Sequence, residues 1–284
     1  MNSTVVRTLS GIVFIGMMVG AILLSRYTFI ALTTVLVVLG MLEFYRMTIP
    51  NIGVLQKVLG ILCGAALNIM FFIFFFGRFG IFPLIAILLF LALFMAIFIS
   101  LLYVKLEKPF EVLGYAVLGV VYIALPFALM NIWTSSSSDL FLEGIKYSGL
   151  SLIAYFVILW SNDVGAYCFG MTIGRIGNHK LFPRHSPKKT WEGFIGGVLV
   201  AMLAGYLLSI WMFGGDKKMF WIGMGLIVSI FGTFGDLIES MLKRSVGVKD
   251  SGSIMPGHGG ILDRFDGVLL SFIPASMYMF ITTL

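Results

Sequence analysis

Charged side chains and glycines alternate through one short segment near the C-terminus, residues 240–267. Its cations are Lys243, Arg244, Lys249 and Arg264, and its carboxylates are Asp250, Asp263 and Asp266. Carboxylate oxygens hold Mg²⁺, which also binds phosphate oxygens, while Lys and Arg neutralise the remaining phosphate charge. Interspersed glycines, Gly259 and Gly260 among them, let the backbone come close to a ligand. The segment therefore predicts a site for a magnesium–polyphosphate complex.

Three more acids, Asp163, Asp236 and Glu239, lie inside long apolar runs. Carboxylates within a membrane span are costly and need a reason. One such acid could serve only a salt bridge between helices, but three in one half of the bilayer favour a functional site. Asp236 and Glu239 share a helix face, which Lys243 continues one turn on. Glu43 and Asn68, at the edge or in the interior of apolar runs, are expected to be local hydrogen-bonding residues rather than ligands.

A basic stretch between two apolar runs, residues 174–193, carries a second candidate anion site. Ser186 and Pro187 predict an N-cap and the first position of a helix, which places Lys188 and Lys189 in its first turn. Free N–H groups at a helix N-terminus beside two lysines bind anions. Taken alone, the stretch equally suits an ordinary helix start with topology-setting charge. The three histidines show no paired zinc-ligand spacing, and no Walker-type phosphate loop is present.

The elements that position these residues are membrane helices. Of 284 residues, 60% are hydrophobic and 11% are charged, and the mean hydropathy is +1.05. Soluble domains are about 45–50% apolar and about 25% charged, so a soluble fold, disorder and a disulfide scaffold are excluded. We predict an all-α polytopic integral membrane protein with about nine transmembrane helices. The apolar runs are 9–24, 27–42, 58–76, 79–104, 112–133, 148–174, 194–213, 219–242 and 268–283.

The distribution of Lys and Arg predicts the orientation. Fourteen of the 19 fall in alternate loops on one side, which places the N-terminus and the active site in the cytoplasm and the C-terminus outside. The net charge of +6 is then mostly charge that faces lipid headgroups, and it predicts no nucleic-acid partner. We expect an N-terminal region of about five spans, 1–145, and a catalytic region of about four spans, 146–284, with the charged segment at 240–266.

The charged segment resembles the signature of the phosphatidate cytidylyltransferase (CDP-diacylglycerol synthase) family. That signature is Ser-x-aliphatic-Lys-Arg, then Lys-Asp, then His-Gly-Gly and Asp-Arg-x-Asp. Met255 stands where the family usually has Leu, Ile or Phe. The pair Asn162-Asp163 and the block 186–193 are similar to a second family motif. The detailed match covers roughly the last 120 residues. The signature positions are Ser240, Leu242, Lys243, Arg244, Lys249, Asp250, His258, Gly259, Gly260, Asp263, Arg264 and Asp266.

The resemblance implies an Mg²⁺-dependent nucleotidyltransferase of the cell inner (cytoplasmic) membrane that converts CTP and phosphatidate to CDP-diacylglycerol and pyrophosphate. It also suggests a homodimer. We expect Asp236 and Asp263 to hold Mg²⁺, with Asp266 or Glu239 in support. Lys243, Arg244, Lys249 and Arg264 are then expected to clamp phosphates, and Lys188 and Lys189 to hold the triphosphate or the lipid headgroup. Asp163 and Glu192 are expected to orient these lysines. The further substrate-binding candidates are Asn162, Thr190, Asp250, His258, Gly259 and Gly260.

Two other functions compete with this one. A CTP-dependent polyprenol or phytol kinase has a related C-terminal region but transfers the terminal phosphoryl group, and the intact signature weighs against it. An ion- or proton-coupled transporter would also use intramembrane acids such as Asp163 and Asp236. Transporter spans usually show broken helices related by internal symmetry, and none is evident in the sequence.

Overall fold

Long apolar helices make up most of the described chain. The computed structural model describes residues 3–49, 53–76, 80–134, 147–177, 179–254 and 259–283. Within these ranges, eight helices are long and apolar enough to cross a membrane, and the apolar stretch Thr8–Leu24 is shorter. The prediction of an all-α polytopic membrane protein is confirmed.

The elements follow one another with short connections. The N-terminal half contains α1 Ser3–Leu24, α2 Arg26–Thr48, α3 Val54–Phe76, α4 Ile81–Ser100, a 3₁₀ turn Leu101–Tyr103, α5 Pro109–Gly119, a π-helical turn Val120–Ala124 and α6 Leu125–Trp133. The C-terminal half contains α7 Leu150–Met171, α8 Ile173–Gly177, β1 Lys180–Phe182, β2 Ser186–Thr190, α9 Trp191–Phe213, α10 Lys218–Ser245 and α11 Leu262–Thr283. Pro83 and Pro274 lie within helices, as expected for membrane spans.

The chain divides into two compact units. Unit 1 comprises Met1–Gly149 and Asp250–Arg264, and unit 2 comprises Leu150–Lys249 and Phe265–Leu284. The first boundary between the units falls after Gly149. The charged segment 240–266, however, is shared between the units, because its residues from Asp250 to Arg264 group with the N-terminal helices.

Unit 1 is built on close packing of α2, α3 and α5. Tyr45 is fully buried, and its hydroxyl donates to the Ala116 carbonyl oxygen over 2.8 Å. A Cβ atom at either Gly60 or Gly119 would collide with the Tyr45 ring. Small residues that allow such close approach are a usual feature of membrane-helix interfaces, where packing replaces the hydrophobic effect.

A buried amide network joins three helices of unit 1. Asn68 donates to the hydroxyls of Thr33 and Thr34, each over 3.0 Å, and accepts from the Asn131 amide over 3.1 Å. Asn68 forms hydrogen bonds as expected, but the expectation of local partners is wrong, because its partners come from other helices. Interhelical hydrogen bonds of this kind help to fix the arrangement of spans.

Unit 2 is held together by α7, α9 and α10, which pack on one another. Glycines set two of the closest approaches, since a Cβ at Gly225 would meet the Ala201 carbonyl oxygen at 2.6 Å and one at Gly165 would meet Val200 at 2.8 Å. In the part of α11 that belongs to unit 2, the Ser271 hydroxyl lies 2.6 Å from the hydroxyl of Tyr155 on α7. These contacts fix the packing of α7, α10 and α11, and so position the acidic side chains that these helices carry.

Candidate active site

A lysine–carboxylate pair forms the centre of the polar site in unit 2. Lys189 Nζ lies 2.6 Å from Asp236 Oδ2, and both side chains remain partly accessible, at 26% and 39%. Lys189 also donates to the Thr233 carbonyl oxygen over 3.5 Å, and Ser240 Oγ lies 3.2 Å from Asp236 Oδ1. The pair is therefore both oriented by neighbours and open to a ligand.

Two further carboxylates interact electrostatically with this pair. Asp163 on α7 and Asp266 on α11 each repel Asp236 and are each attracted by Lys189. Three carboxylates thus interact with Lys189. A bound divalent cation would favour their ionised forms, so the arrangement suits metal-assisted phosphate chemistry.

Close backbone packing positions Asp266. A Cβ atom at Gly235 would collide with the Asp266 carbonyl oxygen and would meet Gly267 Cα at 3.2 Å. The Gly267 N–H donates to Asp266 Oδ1 over 2.6 Å. The glycine directly before Asp236 is thus the one that lets α10 approach α11 at the acidic residues.

The helix start predicted at Ser186 and Pro187 is wrong. Residues Ser186–Thr190 form β2, which pairs antiparallel with β1, and α9 begins at Trp191. A residue before proline favours extended backbone, and Thr190 is the better N-cap because its side chain accepts from Gly193 N over 3.2 Å. Lys188 and Lys189 therefore lie on a strand, not in a first helical turn. Lys188 is exposed, whereas Lys189 reaches Asp236.

Asp236 and Glu239 have different partners although they lie on one helix. Glu239 is 1% exposed and lies 3.1 Å from Lys243 Nζ, one turn further along α10. The predicted continuation of this helix face by Lys243 is confirmed. Glu239 is neutralised within α10, so Asp236 is the residue of the two that faces a shared acidic environment.

The remaining candidates of unit 2 surround this centre. Glu192 Oε1 lies 2.6 Å from His179 Nδ1, so its observed partner is a histidine rather than one of the lysines it was expected to orient. Asn162 is buried, and its Oδ1 makes no hydrogen bond. Arg244 donates to the Val248 carbonyl oxygen over 3.1 Å and closes the turn after α10, where Gly247 has φ +75°. Lys249 is exposed.

A second polar cluster lies in unit 1, where Asp263 binds its own loop. Asp263 Oδ2 accepts from Ser251 N over 2.8 Å, Ser251 Oγ over 2.9 Å and Gly260 N over 2.8 Å. Gly259 has φ +83°, which suits glycine. Asp250 and Arg264 are exposed. His258, a predicted substrate-binding residue, lies outside the described residues.

Glu43 joins the second cluster although sequence reasoning gave it no role in the site. Glu43 is 3% exposed and accepts from Ile261 N over 3.0 Å and from Leu262 N over 3.1 Å. Glu43 forms hydrogen bonds as expected, but the expectation of local partners is wrong, because its partners lie more than 200 positions away. An acid at the edge of an apolar run was the signal that could have marked it, as it marked Asp163.

No set of three or more His, Cys, Asp or Glu side chains in the described part of the chain is spaced to hold a metal ion. Mg²⁺ keeps several waters and commonly uses one or two carboxylates together with substrate phosphates. The donor chemistry of Asp236 and its acidic neighbours therefore fits Mg²⁺ bound with a polyphosphate, rather than a metal held by protein ligands alone.

Comparison with known proteins places the chain in a family. The family model described as "Cytidylyltransferase family" matches residues 5–282, nearly the whole sequence. The chain belongs to the cytidylyltransferase family. This agrees with the resemblance carried by the signature between Ser240 and Asp266.

Curated relatives share the same family and are named phosphatidate cytidylyltransferase. The chain is 43% identical to one from Staphylococcus aureus over 170 residues, which is 58% of this chain and 64% of the relative. It is 40% identical to one from Staphylococcus epidermidis over 178 residues, or 61% of this chain and 62% of the relative. The matched region thus spans less than two thirds of the length of these cytidylyltransferases.

Proposed function

We propose that the protein transfers the cytidylyl group of CTP to phosphatidate and releases CDP-diacylglycerol and pyrophosphate. The observation that carries the proposal is the Lys189–Asp236 pair, 2.6 Å apart, with which Asp163 and Asp266 interact electrostatically. Membership of the cytidylyltransferase family and the names of the curated relatives support the same chemistry.

The reaction requires charge neutralisation more than proton transfer. The phosphate of phosphatidate has a second pKa of about 6, so at neutral pH it is already an anionic nucleophile and no dedicated base is needed. Its oxygen attacks the α-phosphorus of CTP, and the bond from that phosphorus to the bridging oxygen of the β-phosphate breaks. Pyrophosphate leaves with the electron pair.

The chain's own residues would bind and align these phosphates. Lys189, held by Asp236 at the edge of the hairpin, would donate to a phosphate oxygen where negative charge develops. Lys188, Lys243, Arg244, Lys249 and Arg264 are proposed phosphate contacts, since Lys and Arg make charge-assisted hydrogen bonds to phosphate oxygens.

We propose Mg²⁺ as the cofactor, with Asp236 and Asp263 as its protein ligands and Asp266 in support. The metal would neutralise charge on the triphosphate and stabilise the leaving pyrophosphate. Within unit 2, the mutual repulsion of Asp163, Asp236 and Asp266 supports the assignment of Asp236.

The lipid substrate implies a place at the membrane surface. We propose an inner (cytoplasmic) membrane location with the N-terminus and the site in the cytoplasm and the C-terminus outside, as the Lys and Arg distribution predicts. A homodimer is proposed on the family resemblance.

Purified protein supplied with CTP, phosphatidate and Mg²⁺ tests the proposal. The expected result is pyrophosphate release that depends on phosphatidate and stops when Mg²⁺ is chelated. A polyprenol in place of phosphatidate is the control and should give no turnover. CDP release with the polyprenol, and no pyrophosphate with phosphatidate, would instead identify a lipid kinase.

A further inference from the structure

Glu43 is a buried carboxylate that binds the signature loop from a distant helix. The signature loop comprises residues 250–254 and 259–263. Glu43 lies on α2 and is 3% exposed. Its Oε1 accepts from Ile261 N over 3.0 Å, and its Oε2 accepts from Leu262 N over 3.1 Å. Ser251 Oγ lies 3.1 Å from the same Oε2 and has one hydrogen to share between Glu43 and Asp263.

Two backbone N–H groups donate to Glu43, one to each carboxylate oxygen. A carboxylate only accepts hydrogen bonds, and both of its oxygens are used here by N–H or O–H groups. Ile261 and Leu262 stand at the start of α11, where backbone N–H groups have no partner within the helix and the helix dipole favours negative charge. Glu43 thus satisfies the beginning of α11 with a charge of the right sign.

The signature loop also packs tightly against this carboxylate. A Cβ atom at Gly252 would meet Glu43 Oε1 at 2.6 Å, and one at Gly260 would collide with Glu43 Oε2 and Ser251 Oγ. The loop backbone therefore approaches Glu43 closely in both stretches, at Gly252 and at Gly260. That closeness explains why glycine occupies both positions.

Ser251 links Glu43 to Asp263. Its hydroxyl lies 3.1 Å from Glu43 Oε2 and 2.9 Å from Asp263 Oδ2, while its N–H donates to Asp263 Oδ2 over 2.8 Å. Gly260 N, next to the residue that Glu43 binds, donates to the same Asp263 oxygen. Displacement of the loop at Glu43 would therefore move the groups that hold the Asp263 side chain.

We propose that Glu43 is a positioning residue that fixes the signature loop and, through Ser251 and Gly260, the Asp263 carboxylate. Glu43 acts without touching the substrate. The role in turnover rests on the proposed function, in which Asp263 serves catalysis. The hold on the loop is independent of that function.

Glu43→Gln is the sharpest test, because it keeps size and shape but replaces one acceptor oxygen with an NH₂ donor. Hydrogen exchange should accelerate at the backbone amides of Ile261 and Leu262. The kcat for cytidylyl transfer should fall about tenfold, the size expected when a buried charged hydrogen bond loses one partner, while KM for CTP changes less.

Gln56→Leu is the matched control, since Gln56 is also buried in unit 1 but bonds the Ser100 carbonyl oxygen. It should leave exchange at Ile261 and Leu262 unchanged.

Ser251→Ala is the second variant and removes only the hydroxyl shared by the two carboxylates. It should fold where Glu43→Gln fails to, and it should reduce kcat in the same direction but less. Unchanged exchange at Ile261 and Leu262 in folded Glu43→Gln would overturn the proposal, as would faster exchange with normal kcat. If the wild-type protein makes no CDP-diacylglycerol, the proposed function fails, and the exchange result still decides whether Glu43 holds the loop.

Discussion

At the scale of single residues, two acids on the same helix differ in their surroundings and therefore in what they can bind. Asp236 and Glu239 lie three positions apart on α10, yet Glu239 is buried against Lys243 while Asp236 is half-exposed and paired with Lys189. The Glu239 carboxylate is buried and already paired with Lys243, so it is the less suitable of the two acids for binding a metal. An accessible pair beside two further carboxylates can exchange protein partners for phosphate and metal.

Lys189→Met should reduce kcat/KM on the order of a hundredfold, since loss of one donor to developing transition-state charge has this size. Lys189 also competes with a metal for Asp236, to which it is paired over 2.6 Å, so the variant should need less Mg²⁺ for its half-maximal rate. Steady-state rates over a Mg²⁺ titration measure both effects. Arg175→Ala is the control, because it removes an exposed cation from α8 outside the proposed site and should behave as wild type. Near-normal kcat/KM for Lys189→Met would contradict the role given to Lys189.

At the scale of elements, a short hairpin places the lysines. The Ser-Pro pair predicts that Lys188 and Lys189 lie at a helix N-terminus. In the structure they lie on the extended backbone of β2, which pairs with β1, and Thr190 caps α9 instead. A Ser-Pro pair is compatible with both a helix start and a strand. Pairing with β1 decides between them, and a local motif gives no information on that pairing. The capping hydroxyl of Thr190 also packs against Gly174.

Thr190→Ala should lower the free energy of unfolding by about 1 kcal/mol, the usual cost of losing an N-cap hydroxyl. Thr190→Ser keeps the hydroxyl and should retain most of the stability. Thermal unfolding in detergent, followed for all three proteins, measures the difference. Equal Tm values for wild type and Thr190→Ala would show that the cap is not what stabilises the start of α9.

At the scale of the whole molecule, the sequence predicted the membrane class and most of the spans. Apolar runs of about 20 residues report directly on bilayer crossing, so the spans and the acids within them could be recognised. The partner of each acid could not, because hydropathy carries no information on which helices pack together. Glu43 shows this limit most clearly, since its partners Ile261 and Leu262 lie at the other end of the chain.

The grouping of the chain also followed contacts rather than order. Asp250–Arg264 belongs to the unit that contains α2, although in the sequence it lies between two segments of the other unit. Glu43 supplies the physical reason, because its hydrogen bonds tie this segment to unit 1. The signature is continuous in sequence, but its residues are therefore divided between unit 1 and unit 2.

The most direct test of cytidylyl transfer at the Lys189–Asp236 pair follows the label from two preparations of CTP. Wild-type protein with phosphatidate and Mg²⁺ should place label from the α-phosphate in the lipid product and label from the γ-phosphate in pyrophosphate. Asp236→Asn, folded and in the membrane, should give neither product at a measurable rate. Label from the γ-phosphate in lipid, or near-normal transfer by Asp236→Asn, would contradict the account.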